Sequence, residues 1–214
     1  YLLILGDATE LSDKKSRKRT LVPTYFTQVN GWGIASADSR FTTVTGDDPF
    51  PDISIGRIPG QTAEAVKAVL SKIRNNEKSP KPGLWRNDLI MLGGLEKVFT
   101  ESNNHFHTNI AGKVFNVLRA DADPASEYNF GAATSSEVSA LFNRGALFAF
   151  FYGHGGGSVW SDGRPLPMMD NLSASELSNI NSLPIVLSLT CLTASFETVT
   201  EGLSYDLFPP LGET

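Results

Sequence analysis

The residues of this sequence best suited to chemistry are a cysteine and a histidine, each found after an apolar run. Cys191, the single cysteine of the chain, follows the run at residues 184–190, and His154 lies in the segment Gly-His-Gly-Gly-Gly that follows the run at residues 146–152. A thiol is a strong nucleophile only as the thiolate, and a neighbouring imidazole can take its proton. The two residues therefore predict a catalytic dyad, in which His154 takes the thiol proton and later protonates a leaving amine.

The glycines beside His154 have a second chemical use. Gly155 lacks a Cβ, so its backbone N–H can approach a substrate oxygen closely, and with the N–H of Cys191 it would form an oxyanion hole. The alternative is structural: the glycines at residues 153–157 form a tight strand exit that needs positive φ angles. Composition alone favours neither interpretation.

Alternating strands and helices must position these residues. Apolar runs predict strands at residues 1–5, 52–58, 88–94, 116–119, 146–152 and 184–190, with residues 1–5 buried on both faces. Helical spacing marks residues 62–73, 103–115, 135–142 and 173–180, with Thr62 as an N-cap. Strands and helices in series predict an α/β fold with a mostly parallel sheet and helices on both faces. Because ligands bind at the carboxyl ends of such strands, we expect Cys191 and His154 to emerge at one edge.

Composition sets the broad class. The 214 residues are 41% hydrophobic and 19% charged, which is typical of a globular chain. The net charge of −5 gives no reason to expect a nucleic acid, and no apolar run is long enough to span a membrane. The Pro-Lys-Pro-Gly segment at residues 80–83 is the best linker, so we predict a smaller α/β subdomain at residues 1–86 and a dyad-bearing subdomain at residues 87–214.

The sequence resembles the gingipain-type cysteine peptidases (peptidase family C25), relatives of the caspases in clan CD. The resemblance covers nearly the whole chain and rests on five segments: Tyr1-Leu-Leu-Ile-Leu-Gly-Asp7, Gly46-Asp-Asp-Pro-Phe-Pro-Asp-Ile-Ser-Ile-Gly-Arg-Ile-Pro59, Trp85-Arg-Asn87, Tyr152-Gly-His-Gly-Gly-Gly-Ser-Val-Trp160 and Leu187-Ser-Leu-Thr-Cys-Leu-Thr193. It implies a caspase-like, three-layer αβα fold.

The resemblance also implies roles for individual residues. Cys191 would be the nucleophile and His154 the general acid/base, with the Gly155 and Cys191 amides as the oxyanion hole. Glu96 would orient the histidine, with Glu101 as the alternative. Trp160 would line the substrate pocket, and a core tryptophan is the alternative.

The sequence departs from the family pattern at two places. Members that cut after arginine carry an acidic pocket residue, whereas residues 103–107 here read Asn-Asn-His-Phe-His, so basic specificity is not predicted. Family members continue after a Leu-Gly-Glu segment, whereas this chain stops at Thr214, so we expect its carboxyl-terminal end to be truncated.

Other interpretations of the same residues are weaker. His-Gly-Gly-Gly at residues 154–157 matches an esterase oxyanion segment, but the Gly-x-Ser-x-Gly elbow that an esterase needs is absent from the sequence. His105 and His107 have a zinc-like spacing on a strand, but on the predicted helix they point to different sides. The run at residues 14–19 (Lys-Lys-Ser-Arg-Lys-Arg) is predicted to be a solvated loop rather than a nucleic-acid contact.

An acidic cluster offers a metal site. Asp47, Asp48 and Asp52, with Asp38 nearby, are suited to a structural calcium ion, which the family resemblance also implies. The alternative is a turn in which these carboxylates bond to nearby backbone amides. Neither a redox cofactor nor a nucleotide is implied.

The sequence thus predicts a cysteine endopeptidase that acts on protein or peptide substrates through a Cys191 thioester. The alternative is a catalytically weak peptidase-like domain, used for binding or maturation within a larger bacterial surface protein, although the presence of both Cys191 and His154 argues against it. From the family resemblance alone we expect an extracellular or cell-surface location and flanking domains in a longer parent chain.

Overall fold

The computed structural model describes residues 1–8, 22–29, 33–129, 135–160 and 167–193. Within these ranges the chain divides into two compact units, Tyr1–Ile73 and Arg74–Thr193. The dividing point lies within a helix, so the sequence-based division into residues 1–86 and 87–214 stays a prediction. The basic run at residues 14–19 and the predicted truncation at Thr214 lie outside the described residues.

The elements of the described residues alternate between strands and helices, with short 3-10 turns between them. The strands are β1 (Leu2–Leu5), β2 (Phe26–Val29), β3 (Gly33–Ser36), β4 (Ile55–Ile58), β5 (Asp88–Gly93), β6 (Asn116–Asp121), β7 (Phe148–Tyr152), β8 (Gly155–Gly156), β9 (Val159–Trp160), β10 (Met169–Asp170) and β11 (Ile185–Leu189). The α-helices are α1 (Ala63–Lys78), α2 (Lys97–Asn109), α3 (Ser135–Arg144) and α4 (Asn171–Ser175). No helix within the described ranges is both long and apolar enough to cross a membrane.

In the first unit, β1 pairs in parallel with β4, and β2 pairs antiparallel with β3. The predicted strand at residues 1–5 is confirmed, but Leu3 and Leu5 are exposed, so the prediction that it is buried on both faces is wrong. Thr62 is confirmed as an N-cap, because its hydroxyl accepts a 3.1 Å hydrogen bond from the N–H of Ala65.

A buried arginine connects separate segments of the first unit. The Arg57 side chain, on β4, is 3% exposed and forms a two-bond ion pair with Asp38, at 2.6 and 2.8 Å. The same guanidinium donates to the carbonyls of Gly6, Val22 and Pro23 at 2.8, 2.9 and 3.1 Å. Burial raises the pKa of Asp38, but the hydrogen bonds from Arg57 and Thr24 and the Arg57 charge outweigh it, so this pKa lies below its ordinary value.

The second unit is built on a four-stranded parallel sheet in the order β11-β7-β5-β6. One face packs against α3: Ile90 and Leu92 of β5 join Phe151 of β7 and Val138 and Phe142 of α3. The other face packs against α2 and the turn after it, through residues that alternate with the first set. These residues are Leu89, Met91, Phe106, Ala111, Phe115, Val117 and Phe148. The predicted parallel sheet with helices on both faces is therefore confirmed.

Three predicted helices have different bounds. The first, predicted for residues 62–73, continues to Lys78. The prediction for residues 103–115 starts too late and ends too late, since α2 runs from Lys97 to Asn109 and a separate 3-10 turn, Ala111–Lys113, follows it. The residue before α2 is Glu96, whose side chain makes no cap hydrogen bond, so the sequence carries no capping signal at the true start. The prediction for residues 173–180 is too long, since α4 ends at Ser175.

Candidate active site

The candidate site lies where β7 and β11 end. The last paired residues of the two parallel strands are Tyr152 and Leu189, and the N–H of Gly153 donates to the carbonyl of Leu189 at 3.4 Å. His154 lies two residues beyond Tyr152, and Cys191 lies two residues beyond Leu189. The two strands thus bring His154 and Cys191 to the same carboxyl edge of the sheet, as the sequence predicted.

A carboxylate contacts the histidine. Glu96 Oε1 lies 2.8 Å from His154 Nε2, and the two side chains are 58% and 54% exposed. Phe99, in the first turn of α2, packs edge-on against the imidazole with a centroid separation of 5.2 Å. Glu101, the alternative partner, instead pairs with Lys97 at 3.0 Å on the exposed side of the helix. The structure therefore brings Glu96, and not Glu101, to the histidine.

Close backbone contact explains the glycines at the start of this edge. A Cβ on Gly153 would lie 3.1 Å from the Cα of Gly94 and 2.7 Å from a ring carbon of Phe151. The N–H of Gly94 also donates to the carbonyl of Tyr152 at 2.9 Å. The predicted need for positive φ is wrong, because none of the glycines at residues 153–157 has such an angle. At position 153 glycine is required by the lack of space for a Cβ, not by backbone handedness.

Gly155 brings the histidine loop against the cysteine segment. A Cβ on Gly155 would lie 2.6 Å from the hydroxyl oxygen of Thr190, the residue before Cys191. Gly155 is buried and pairs with Trp160 in the short antiparallel ladder of β8 and β9. Its backbone is therefore next to the nucleophile segment, and the assignment of the Gly155 and Cys191 amides to an oxyanion hole stays a prediction.

The turn that carries Cys191 has an unusual backbone. The Cys191 side chain is exposed, as a nucleophile requires. The next residue, Leu192, has φ of 59°, in the left-handed region that residues other than glycine rarely adopt. Such a conformation typically costs about 1–3 kcal/mol and persists where the surrounding structure imposes it.

Trp160 packs on the sheet. Its indole stacks on Phe151 with a centroid separation of 4.6 Å and an interplanar angle of 13°. Its Nε1–H donates to the hydroxyl of Ser188 at 2.9 Å, and Ser188 Oγ lies 3.1 Å from Thr193 Oγ1. These contacts match the core-tryptophan alternative, and a substrate contact by Trp160 stays a prediction. No sequence pattern pointed to Ser188 and Thr193, because their bonds join residues that are not related by any local spacing.

The acidic cluster forms a hydrogen-bonded turn. Asp52 Oδ2 accepts from the N–H groups of Val44 and Thr45 at 2.7 and 2.9 Å, and Asp48 Oδ1 accepts from the N–H of Phe50 at 2.9 Å.

Within the described part of the chain, no group of three acidic, histidine or cysteine side chains is arranged to hold a metal ion. Asp48 and Asp52 therefore correspond to the turn alternative, and a calcium ion held by Asp47, Asp48 and Asp52 stays a prediction. His105 lies against Asn109, at 3.2 Å, and His107 against the ring of Tyr128, at 5.6 Å.

Residues 103–107, considered above for the specificity pocket, begin inside the protein. Asn103 is fully buried and donates to Asp121 Oδ1 at 3.4 Å, and Arg119 forms a 2.7 Å ion pair with Asp121 Oδ2. Ser126 donates to the same carboxylate oxygen at 2.6 Å, and the Tyr128 ring lies under the Arg119 guanidinium at 4.3 Å.

Several atoms of this buried group lack a protein partner among the described residues: Thr100 Oγ1, Asn103 Oδ1, Arg119 Nε and Arg119 Nη1. We call the group formed by Thr100, Asn103, Arg119, Asp121 and Ser126 the Arg119 cluster. Burial, followed by the charge of Glu127, raises the pKa of the neighbouring Tyr128.

Known proteins share this sequence pattern. The sequence model of peptidase family C25 matches residues 1–209. Lys-gingipain W83 of Porphyromonas gingivalis is 19% identical over 201 residues, which make up 93% of this chain and 10% of that protein. Gingipain R2 of the same species is 20% identical over 205 residues, which make up 92% of this chain and 24% of that protein.

Solved structures share the fold. The crystal structure of the Arg-specific cysteine proteinase gingipain R (RgpB) matches with a TM-score of 0.70 at 17% identity, covering 91% of this chain and 41% of that chain. The complex of the Porphyromonas gingivalis RgpB pro- and mature domains matches with a TM-score of 0.65 at 17% identity, covering 88% and 40%. This chain therefore spans less than half the length of each of these proteins.

Proposed function

Because this chain belongs to peptidase family C25, a family of cysteine peptidases, we propose that it is an endopeptidase that hydrolyses peptide bonds through a thioester on Cys191. The observation that carries the proposal is the 2.8 Å contact between Glu96 and His154 at the strand ends that also deliver Cys191. A nucleophile, a base and a group that orients the base form the arrangement that typically activates a catalytic thiol.

The contact between Glu96 and His154 also assigns different roles to the two imidazole nitrogens. Because Nε2 faces the Glu96 carboxylate, Nε2 carries the proton, and Nδ1 is the nitrogen that accepts the proton of the Cys191 thiol. Glu96 then holds the ring in one orientation and stabilises the imidazolium that forms when His154 takes the Cys191 proton.

The reaction proceeds in two halves. The Cys191 thiolate attacks the scissile carbonyl, and the oxyanion lies near the Gly155 and Cys191 N–H groups. The tetrahedral intermediate collapses as the imidazolium protonates the leaving amine, which leaves a thioester on Cys191. A water molecule, deprotonated by His154, then attacks the thioester and releases the carboxylic acid, and the sulfur regains its proton.

We further propose that the substrates are proteins or peptides and that the parent chain is longer and exported or surface-bound, as the family resemblance implies. The names of the relatives specify lysine and arginine, but in this chain residues 103–107 contain no acidic residue and Asn103 is buried. We therefore assign no basic preference, and a positional-scanning peptide library on the parent protein determines the preferred residue.

The test compares the parent protein with variants of the three proposed groups. Cys191→Ala should abolish hydrolysis, and His154→Ala should lower kcat/KM by about 10²–10⁴-fold. Glu96→Gln should lower it by about 10-fold or more, since groups that orient a functional histidine typically contribute 10–100-fold. Glu101→Gln is the matched control, because it makes the same change on the exposed side of α2, and it should leave the rate unchanged.

Alkylation by iodoacetamide separates an enzyme from a binding domain. An activated Cys191 should react faster in the wild type than in the His154→Ala variant. Equal and slow alkylation in both would favour a peptidase-like binding or maturation domain. Product release by Cys191→Ala at the wild-type rate would refute the thioester mechanism.

A further inference from the structure

We propose that Trp160 is a positioning residue, which acts through the hydroxyls of Ser188 and Thr193 to fix the Cys191 turn relative to His154. The proposal rests on the proposed cysteine-peptidase function and assigns Trp160 a role other than contacting substrate. We call residues 154–160 the histidine hairpin and residues 190–193 the cysteine turn.

The indole bridges the two catalytic segments. Trp160 ends the histidine hairpin and pairs with Gly155, the residue directly after His154. Its Nε1–H donates at 2.9 Å to Ser188, which lies three residues before Cys191 on β11. One side chain therefore connects the segment that carries the base to the strand that carries the nucleophile.

The bridge continues across the cysteine turn. Ser188 Oγ accepts the indole proton and lies 3.1 Å from Thr193 Oγ1, so a hydroxyl contact joins a residue before Cys191 to one after it. Because the two hydroxyls can exchange donor and acceptor roles, Ser188 can bond to Trp160 and Thr193 together. The contact closes the turn as a loop with Cys191 inside it.

The anchor of this bridge is itself held in place. Trp160 stacks on Phe151, which is fully buried and lies opposite Ser188 in the register of β7 and β11. The carbonyl of Trp160 accepts a 2.9 Å hydrogen bond from the N–H of Met168. Both the ring and the backbone of Trp160 are thus tied to the core of the second unit.

The cysteine turn needs such support. Leu192 has a left-handed backbone, which its own conformational preference opposes. Without the bridge the turn can relax toward an ordinary φ and move the sulfur. A displacement of about 1 Å in a catalytic group can lower a rate by about 10²-fold.

The experiment measures the second-order rate constant for alkylation of Cys191 by iodoacetamide, together with kcat and KM for peptide hydrolysis. Iodoacetamide has no side chain to fill a specificity pocket, so its rate reports the position and activation of the sulfur alone. Trp160→Phe keeps a stacking ring but loses the donor, and Ser188→Ala loses both bonds. Thr193→Val loses the hydroxyl contact with Ser188. Ser175→Ala on the exposed part of α4 is the control.

We expect alkylation and kcat to fall about 3- to 10-fold in Trp160→Phe and Ser188→Ala at a temperature at which every variant is folded, with KM nearly unchanged. Ser188→Thr should restore most of the rate, and Ser175→Ala should match the wild type. The double variant Trp160→Phe/Ser188→Ala should be no slower than Ser188→Ala, since both changes break the same bridge.

Two results overturn the proposal without touching the proposed function. In one, alkylation is unchanged in Trp160→Phe and Ser188→Ala while KM rises, which makes Trp160 a substrate contact. In the other, the effects of the two changes are additive, which makes them independent. Failure of the proposed function looks different, because the wild type itself then alkylates no faster than His154→Ala.

Discussion

Each unit contains a buried arginine–aspartate pair, and the two pairs are completed in different ways. In the first unit the Arg57 side chain is 3% exposed, and Nε, Nη1 and Nη2 all donate to Asp38 or to backbone carbonyls. In the second unit the Arg119 side chain is 1% exposed, but among the residues that the structure describes only its Nη2 has acceptors, which are Asp121 and the carbonyl of Thr100. The same two residue types thus form a saturated pair in one place and an unsaturated pair in the other.

The difference shows that the burial of a charge pair does not by itself indicate which parts of the structure the pair stabilises. Arg57 bonds to segments far apart in the chain, so its loss would leave several acceptors without donors at once. Within the described ranges, the Arg119 cluster has two donor groups without an acceptor, Nε and Nη1, beside an acceptor on Asn103 without a donor. Buried polar atoms of this kind are normally satisfied by ordered water, so we expect internal water molecules at the Arg119 cluster.

The largest effect is expected from Arg57→Met. The substitution leaves the Asp38 carboxylate without its counter-charge and three carbonyls without a donor, so the free energy of unfolding should fall by about 4 kcal/mol. Urea denaturation of the folded chain measures it. Arg40→Met, at an exposed arginine of the first unit, is the control and should change stability by less than about 0.5 kcal/mol. A similar loss of unfolding free energy in both variants would show that the hydrogen bonds of Arg57 do not stabilise the fold.

Arg119→Met should cost less, about 3 kcal/mol, because Asp121 keeps the donors of Ser126 and Asn103. The double variant Arg119→Met/Asp121→Leu should recover most of this loss, since replacing both partners removes the unpaired charge. Thermal and urea denaturation of the single and double variants tests the prediction. A double variant that is as unstable as Arg119→Met would mean that the cluster stabilises the fold through something other than charge balance.

A pair of hydroxyl deletions separates direct bonding from hydration. Ser126→Ala removes a 2.6 Å hydrogen bond to a carboxylate and should cost about 2 kcal/mol. Thr100→Val removes a hydroxyl that has no partner in the described part of the chain and keeps the shape, so its effect should stay within about 1 kcal/mol. A small loss in Thr100→Val indicates a bound water, whereas a gain in stability indicates a dry site. A high-resolution crystal structure would show the water directly.

The smallest effect is expected from pH acting on the Arg57 pair, because burial of Asp38 opposes the bonds that lower its pKa. A carboxylate with a lowered pKa in the folded state contributes stability above its unfolded pKa, and that contribution disappears as the pH falls through the folded value. The wild type should therefore lose stability below about pH 3.9, and Asp38→Asn should remove that part of the dependence. Urea denaturation as a function of pH measures the difference, and parallel curves for the two proteins would refute it.

The sequence located the strands of the second unit and the ends that carry His154 and Cys191, because long apolar runs and glycine exits are strong local signals. It did not decide between Glu96 and Glu101, since the choice depends on where α2 begins. The Glu96 side chain contacts His154 and makes no cap hydrogen bond, so no capping motif marks the start of the helix in the sequence.

Short elements and long-range bonds were not predicted. The β2–β3 pair and the β8–β9–β10 ladder have strands of only two to four residues, too short to show an alternating pattern. The bonds that join Trp160, Ser188 and Thr193 are set by the register of β7 with β11, which appears only once the sheet has formed. The expectation of positive φ at residues 153–157 was wrong, because Gly153 is required by the nearness of the Gly94 backbone and Gly155 by the nearness of the Thr190 side chain.

The close contact between the Gly94 and Gly153 backbones has a practical consequence for engineering. Gly94 and Gly153 touch with no room for a side chain on either, directly before the loops that carry Glu96 and His154. The two loops leave the sheet at the contact between Gly94 and Gly153. Lengthening or replacing one loop therefore displaces the first residues of the other. Chimeras with other members of the family should therefore exchange both loops as a single cassette, and a saturation library should find these two glycines among the least replaceable positions of the second unit.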